Sequence, residues 1–388
     1  MDKYMKNKAE IKKSEIFPCD VVLFNNINLK LDSGYQLENF QIHYQTYGKL
    51  NKYKSNAILI CHALTADQFV ADTHPITKKN GWWENMVGPK KPIDTDKYFV
   101  ICSNVLGGCI GTTGPKELNP KNKLPYGLEF PAITIKDMVK AQKLLIDALE
   151  IEELFAVIGS SMGAMQVLQW VIDYPLNIRN TIHIAGALKH STQNIAFHEV
   201  GRQAIMSDNN WYKGNYLRNN LKPERGLAVA RMIAHITYLS EKALHEKFGR
   251  KLQSKDLISF GFDADFQIES YLRYQGQSFV KRFDANSYLY MTRAMDYFDV
   301  TEIFPKVMKF NGIDNDHIHH CIISFTSDWL FPTKENKEIV KILNKEGKKV
   351  SFTEIESDKG HDSFLLNVPD LYKTISGFLS GNYKKFRA

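Results

Sequence analysis

Apolar and polar residues first alternate with a period of two along the chain, over residues 20–31 and 38–47. That alternation predicts antiparallel strands with one wet face. Three continuous apolar runs follow, at 56–65, 98–106 and 154–159, and residues 178–188 make a fourth strand. Runs of this length with helical segments between them predict a parallel sheet covered on both faces. Residues 137–149 carry Met138, Ala141, Leu145 and Leu149 at helical spacing and feed the strand at 154–159. From about Lys189 to Lys309 the sequence turns helical and aromatic-rich. The α/β rhythm then returns, with a strand at 321–326, a helix at 333–345, a strand at 350–355 and a helix at 370–379. A helical block between sheet strands reads as a lid over the strand C-termini, the edge where open α/β sheets bind ligands. The expected organisation is a disordered lead-in (1–16), an α/β core (17–188 and 310–388) and an inserted helical lid (189–309).

Composition adds exclusions. An apolar fraction of 44% and a charged fraction of 24% are those of an ordinary globular protein. Five scattered cysteines with no CxxC pair argue for reduced thiols and a cytoplasmic protein. The lysine-rich residues 1–14 have no apolar stretch behind them, so no signal peptide is expected, and no run reaches membrane-span length. The net charge of +7 comes from lysines interleaved with acids, which disfavours nucleic-acid binding. A positive field would help collect an anionic small molecule.

The chemistry begins at Gly159-Ser160-Ser161-Met162-Gly163, a G-x-S-x-G string with a strand before it and an apolar helix (162–174) after it. This is the setting of a nucleophile elbow, in which a sharp turn holds the serine hydroxyl exposed, and it points to an α/β-hydrolase fold. A serine needs a base, and the base an orienting acid; the chain order of the fold is Ser, acid, His. Asp328 follows the strand 321–326 and His361 follows the strand 350–355, so Ser161, Asp328 and His361 are the expected triad. The oxyanion donors should be the backbone N–H groups of Met162 and, in the loop after the first buried strand, Leu64.

Two other clusters carry less. Residues 314–320, rich in Asp and His, resemble a metal site but lack partner ligands at zinc-like spacing, and they are read as a solvated loop with no metal. The glycine-rich residues 107–114 lack the Lys-Ser/Thr ending of a phosphate-binding P-loop and are read as a loop packed near the pocket. The triad alone leaves an esterase, a thioesterase and an acyltransferase open, since all share an acyl-enzyme.

The wider sequence, from about Phe17 to Leu379, resembles the homoserine O-acetyltransferase family of methionine biosynthesis. Residues 81–88, 93–108, 161–166, 271–275 and 283–290 carry the resemblance. It departs at Ser160 and Ala164, which replace glycines usual in the family; Ala164 is expected to narrow the pocket slightly. The resemblance implies acetyl-CoA and L-homoserine as substrates, no cofactor, a homodimer formed through the lid, and ping-pong transfer through an acyl-Ser161. It also implies that Arg231 grips the homoserine carboxylate and Asp362 its ammonium. Succinyl-using relatives carry an arginine two residues after the triad acid. That position is Leu330 here, which favours acetyl over the alternative, a homoserine O-succinyltransferase. A serine O-acyltransferase and an ester hydrolase of the same fold are the remaining alternatives.

Overall fold

The computed structural model describes residues 9–253, 257–309 and 315–387. Strands β1 (Ala9–Lys13), β2 (Asp20–Lys30) and β3 (Gln36–Tyr47) form an antiparallel meander. After β4 (Ala57–Cys61) comes a small ladder of β5 (Val87–Gly88) and β6 (Ile93–Asp94), then β7 (Phe99–Ser103). Next are α1 (Ile135–Ala148), β8 (Ala156–Ser160), α2 (Met162–Asp173) and β9 (Asn180–Ile184). The main sheet has nine strands; with β10 (His319–Phe325) and β11 (Lys349–Ile355) its order is β1-β2-β3-β7-β4-β8-β9-β10-β11. From β7 to β11 all neighbours are parallel. Strands β4, β8 and β9 are buried at every residue, which is why they read as continuous apolar runs rather than as alternation. Their side chains still alternate between faces. Leu59, Ile101 and Val157 join one core, under α1 and α2; Ile58, Ile60, Val100 and Ile158 join the other, under α10 (Pro369–Arg387).

The chain between β9 and β10 folds into α3 (Thr192–Met206), α4 (Glu224–Tyr238), α5 (Glu241–Lys247), α6 (Gln267–Val280), α7 (Ala285–Asp296) and α8 (Ile303–Lys309). Helices α3, α4, α6 and α7 pack on one another. The two ends of this insertion meet: His190 N donates to Phe298 O (3.2 Å) and Val300 N to Leu188 O (2.8 Å), framing a Lys189–Asp299 bridge. Helix α8 instead packs on α2 and on α9 (Thr333–Lys345), so the helical insertion closes near Asp299 and α8 packs with the core. The boundary expected at 309 is therefore about ten residues late, because helical periodicity is the same in lid and core.

Two further expectations need correction. Residues 9–13 of the supposed lead-in pair with β2 as an edge strand, in register Ala9↔Phe24 to Lys13↔Asp20; residues 1–8 lie outside the described residues. Within 314–320, of which Asp314 is likewise outside, the chain is not a solvated loop. His319 and His320 begin β10, the buried His320 bonds Thr181 Oγ1 through Nδ1 (2.9 Å), and Asn315 is buried with Nδ2 on Val307 O (3.0 Å). All five cysteines are free and buried. No helix among the described residues is long and apolar enough to cross a membrane.

Candidate active site

Ser161 sits between β8 and α2 at φ 57, ψ −122, a left-handed conformation imposed on a non-glycine residue. Its surroundings explain the two outer glycines. A Cβ on Gly163 would lie 2.0 Å from Cys61 O, and one on Gly159 2.2 Å from Gly163 O. The turn is pinned by Ser161 N donating to Ile184 O at 3.1 Å. Ala164 does not narrow the pocket: it is fully buried, and its Cβ lies 2.5 Å from where a Cβ on Gly186 would stand. Gly186 leaves the space that this methyl fills.

Beyond the C-terminal end of β10, Asp328 accepts the N–H groups of Leu330 (3.0 Å) and Phe331 (2.9 Å) on Oδ1, and Oδ2 meets Nδ1 of His361 at 2.7 Å. A carboxylate held on both oxygens orients the imidazole with its proton on Nδ1 and its lone pair on Nε2. Nε2 is buried and bonds no described residue, Ser161 included. The His361 ring lies against Phe331 (5.1 Å between centroids), Phe364 (5.4 Å) and Tyr238 (6.0 Å). Ser161, Phe331 and Tyr238 line one small cavity of about 30 Å³, together with Leu64 and Leu330. The helical insertion is stitched onto the loops that carry Asp328 and His361: Trp329 Nε1 donates to Leu239 O (3.0 Å), and Ser240 Oγ donates to Asp358 O. Gly360, at φ 72, allows the approach, since a Cβ there would lie 2.5 Å from Ser240 N.

Neither Leu64 N nor Met162 N donates to another described residue. His62, unassigned from sequence, explains how the Leu64 loop is held. Its Nε2 accepts from Val105 N at 3.1 Å, which leaves the proton on Nδ1 to donate to Ala63 O at 2.8 Å. In a trans peptide C=O and N–H point opposite ways, so drawing the Ala63 carbonyl to His62 turns the Leu64 N–H away from it. Burial pushes the His62 imidazolium below its usual range, consistent with that neutral tautomer.

Arg231, on α4, donates to Thr65 Oγ1 at 3.0 Å and lies over the rings of Phe279 (4.8 Å) and Tyr238 (5.6 Å). Burial pushes the Asp362 carboxyl up to about 6, against the pull of His361 and Arg231. Arg231 and Asp362 thus sense each other, yet neither forms an ion pair among the described residues, leaving a cation and an anion without a charged partner near the His361 loop.

A second charged group, not apparent from sequence, reaches the Ser161 cavity through His190 and His198. Asp296 Oδ1 accepts from His190 Nδ1 (3.0 Å) and His198 Nδ1 (2.9 Å), while Oδ2 takes Arg202 at 2.6 Å. Burial pushes His190 down to about 4, so its ring is neutral at neutral pH. His190, His198 and Asp296 bring their ligand atoms within 4.8 Å of one another, close enough for a metal ion. The Arg202 guanidinium already neutralises the carboxylate, and the group reads as a buried ion-pair network. No spacing rule links residues 94 positions apart, so only the fold reveals it. The glycine-rich residues 107–114 are buried against β3 and the start of α7, where Ser287 Oγ donates to Gly108 O (3.3 Å).

A family profile described as the alpha/beta hydrolase fold matches residues 56–368. A homoserine O-acetyltransferase of Rhodospirillum rubrum is 60% identical over 361 residues, covering 93% of this chain and 92% of that one. Another, of Mesorhizobium japonicum, is 60% identical over 351 residues, 90% of each. Among solved structures, a homoserine O-acetyltransferase from Bacillus anthracis superposes with TM-score 0.84 at 26% identity, covering 96% of this chain and 97% of that one. Esterase E22 superposes with TM-score 0.83 at 28% identity, covering 96% and 100%. Similarity of fold alone therefore leaves transfer and hydrolysis side by side, and it is the sequence that separates them.

Proposed function

This chain belongs to the homoserine O-acetyltransferase family of the α/β-hydrolase fold, and on that premise we propose that it transfers the acetyl group of acetyl-CoA to the hydroxyl of L-homoserine, a step of methionine biosynthesis. His361 Nε2 takes the Ser161 proton as Oγ attacks the thioester carbonyl. The N–H groups of Leu64 and Met162 donate to the developing oxyanion, which the adjacent start of α2 also favours. The C–S bond breaks, His361 returns the proton to sulfur, and CoA leaves acetyl-Ser161. The homoserine hydroxyl then gives its proton to Nε2 and attacks the acyl carbon; the Ser161–acyl bond breaks and Oγ regains its proton. Transfer outruns hydrolysis when water is excluded, the role assigned to the lid over the cavity.

The observation that carries this reading is the unspent pair Arg231 and Asp362 beside His361. Homoserine is a zwitterion, and a guanidinium suits its carboxylate as an anion suits its ammonium. A plain ester hydrolase has no use for two opposite charges at that point. Acetyl is favoured over succinyl because the cavity beside Ser161 is small and its wall at Leu330 is aliphatic. Two copies are proposed to join through the lid, on which the ring of Phe262 stands fully exposed between α5 and α6.

A thiol-release assay crossing acetyl- and succinyl-CoA with homoserine and serine tests the proposal. Release should require acetyl-CoA and rise steeply with homoserine alone. Equal release without any acceptor would make the protein a hydrolase.

A further inference from the structure

The inner end of a second cavity, of about 420 Å³, is formed by Thr65 and Arg231, the pair that bonds at 3.0 Å beside the Leu64 loop. Its outer lining carries Lys79, Lys281 and Arg282. Asp67 is the sole carboxylate among its lining residues, and it is already committed: His74 Nε2 meets Oδ2 at 2.9 Å and Phe69 N donates to Oδ1 at 2.9 Å. Arg282 reaches that carboxylate only at 3.9 Å. Lys79 and Lys281 form no ion pair among the described residues, and both are exposed at the rim. Arg282 is buried enough to be pushed below its usual range, and the Arg231 charge pushes the same way. Four cations around one opening outnumber its single carboxylate, which is already engaged, so the lining is suited to an anion. At the rim the Tyr274 hydroxyl is held below its usual range by a hydrogen bond with Ser278 and by the nearby Lys79 ammonium, which reports the same positive field. Two of the cations are lysines, suited to phosphate as mobile point charges, and Arg282 adds a fixed planar donor.

We propose that this vestibule is where the phosphate-bearing end of the acyl donor docks, with Lys79, Lys281 and Arg282 meeting its phosphates while the thioester reaches past Arg231 to Ser161. The inference rests on the reading of the protein as a CoA-dependent transferase. It gives the surplus positive charge a place: three cations face the nucleotide end and Arg231 faces the acceptor, so donor and acceptor are recognised by different groups. Removing the rim charges should then weaken the nucleotide-bearing donor and leave a donor without phosphates untouched.

The experiment compares acetyl-CoA with S-acetylpantetheine, which carries the same thioester arm and no phosphate, for wild type, the double variant Lys79→Ala/Lys281→Ala and the double variant Lys79→Arg/Lys281→Arg. The alanine variant should raise KM for acetyl-CoA about 5- to 10-fold with kcat little changed, as two exposed charge contacts would give. Its kcat/KM for S-acetylpantetheine should stay within about twofold of wild type, and the arginine variant should recover acetyl-CoA use. Added salt should lower wild-type kcat/KM for acetyl-CoA much more than for S-acetylpantetheine. If the alanine variant changes both donors by one factor, or neither, the vestibule assignment is wrong while the transferase reading stands. If wild type releases no thiol from acetyl-CoA in the presence of homoserine, the transferase reading fails, and the vestibule assignment with it.

Discussion

Leu330 donates its backbone N–H to Asp328 Oδ1 at 3.0 Å, so the residue that walls the cavity beside Ser161 and the acid that orients His361 belong to one turn. The Leu330 carbonyl is held as well, by Asn194 Nδ2 at 2.9 Å. Both contacts use main chain. The side chain can therefore be exchanged while the Asp328–His361 bond is kept, which makes donor choice testable without disturbing that bond.

Leu330→Arg should shift donor preference from acetyl-CoA toward succinyl-CoA. The guanidinium offers a distal carboxylate a partner and leaves a buried charge unpaired when acetyl binds, so the two effects add. The measurement is the ratio of the two kcat/KM values. An unchanged ratio means that selectivity resides elsewhere in the cavity wall.

Ser161→Ala should abolish acyl-enzyme formation and cut transfer by many orders of magnitude, leaving only what binding and the oxyanion donors supply. Intact-mass analysis after mixing wild type with acetyl-CoA alone should show one acetyl adduct, mapped to Ser161. An adduct on another residue would falsify the assignment of the nucleophile.

Arg231→Ala should weaken homoserine use roughly 10- to 150-fold, the loss of one charge-assisted contact worth about 1.5–3 kcal/mol. In the proposed ping-pong order acylation precedes acceptor entry, so the first burst of CoA in a rapid-mixing experiment should be nearly unchanged. Equal slowing of burst and turnover would remove Arg231 from the acceptor site.

Asp362→Asn should stabilise the fold and damage acceptor use together. The folded-state pKa of about 6 lies above the ordinary value of 3.8, so the folded protein binds the proton more tightly than the unfolded chain. The ionised carboxylate therefore costs stability in full above pH 6, up to about 3 kcal/mol at 1.36 kcal/mol per pKa unit, and the cost fades as pH falls toward 3.8. Thermal melts should show the variant ahead of wild type by a few degrees at pH 8, with the gap closing by pH 4. A gap independent of pH would mean that the Asp362 carboxylate carries no such burial cost.

The sheet, the elbow and the late Asp and His were legible because each is written in local sequence. Continuous apolar runs mark strands buried on both faces, and G-x-S-x-G marks a turn whose glycines are required by contacts of 2.0 and 2.2 Å. Helix 333–345 matched the expected bounds because its amphipathic period is complete on its own. What the tertiary structure decided are the pairings between distant segments. It tied His62 to Val105, joined Asp296 to Arg202 and two histidines, and seated Ala164 against Gly186. It also drew Ala9–Lys13 onto the sheet edge and moved α8 from lid to core. A single sequence records periodicity and local turn chemistry, whereas these contacts depend on where the packed sheet brings two separate stretches of chain together.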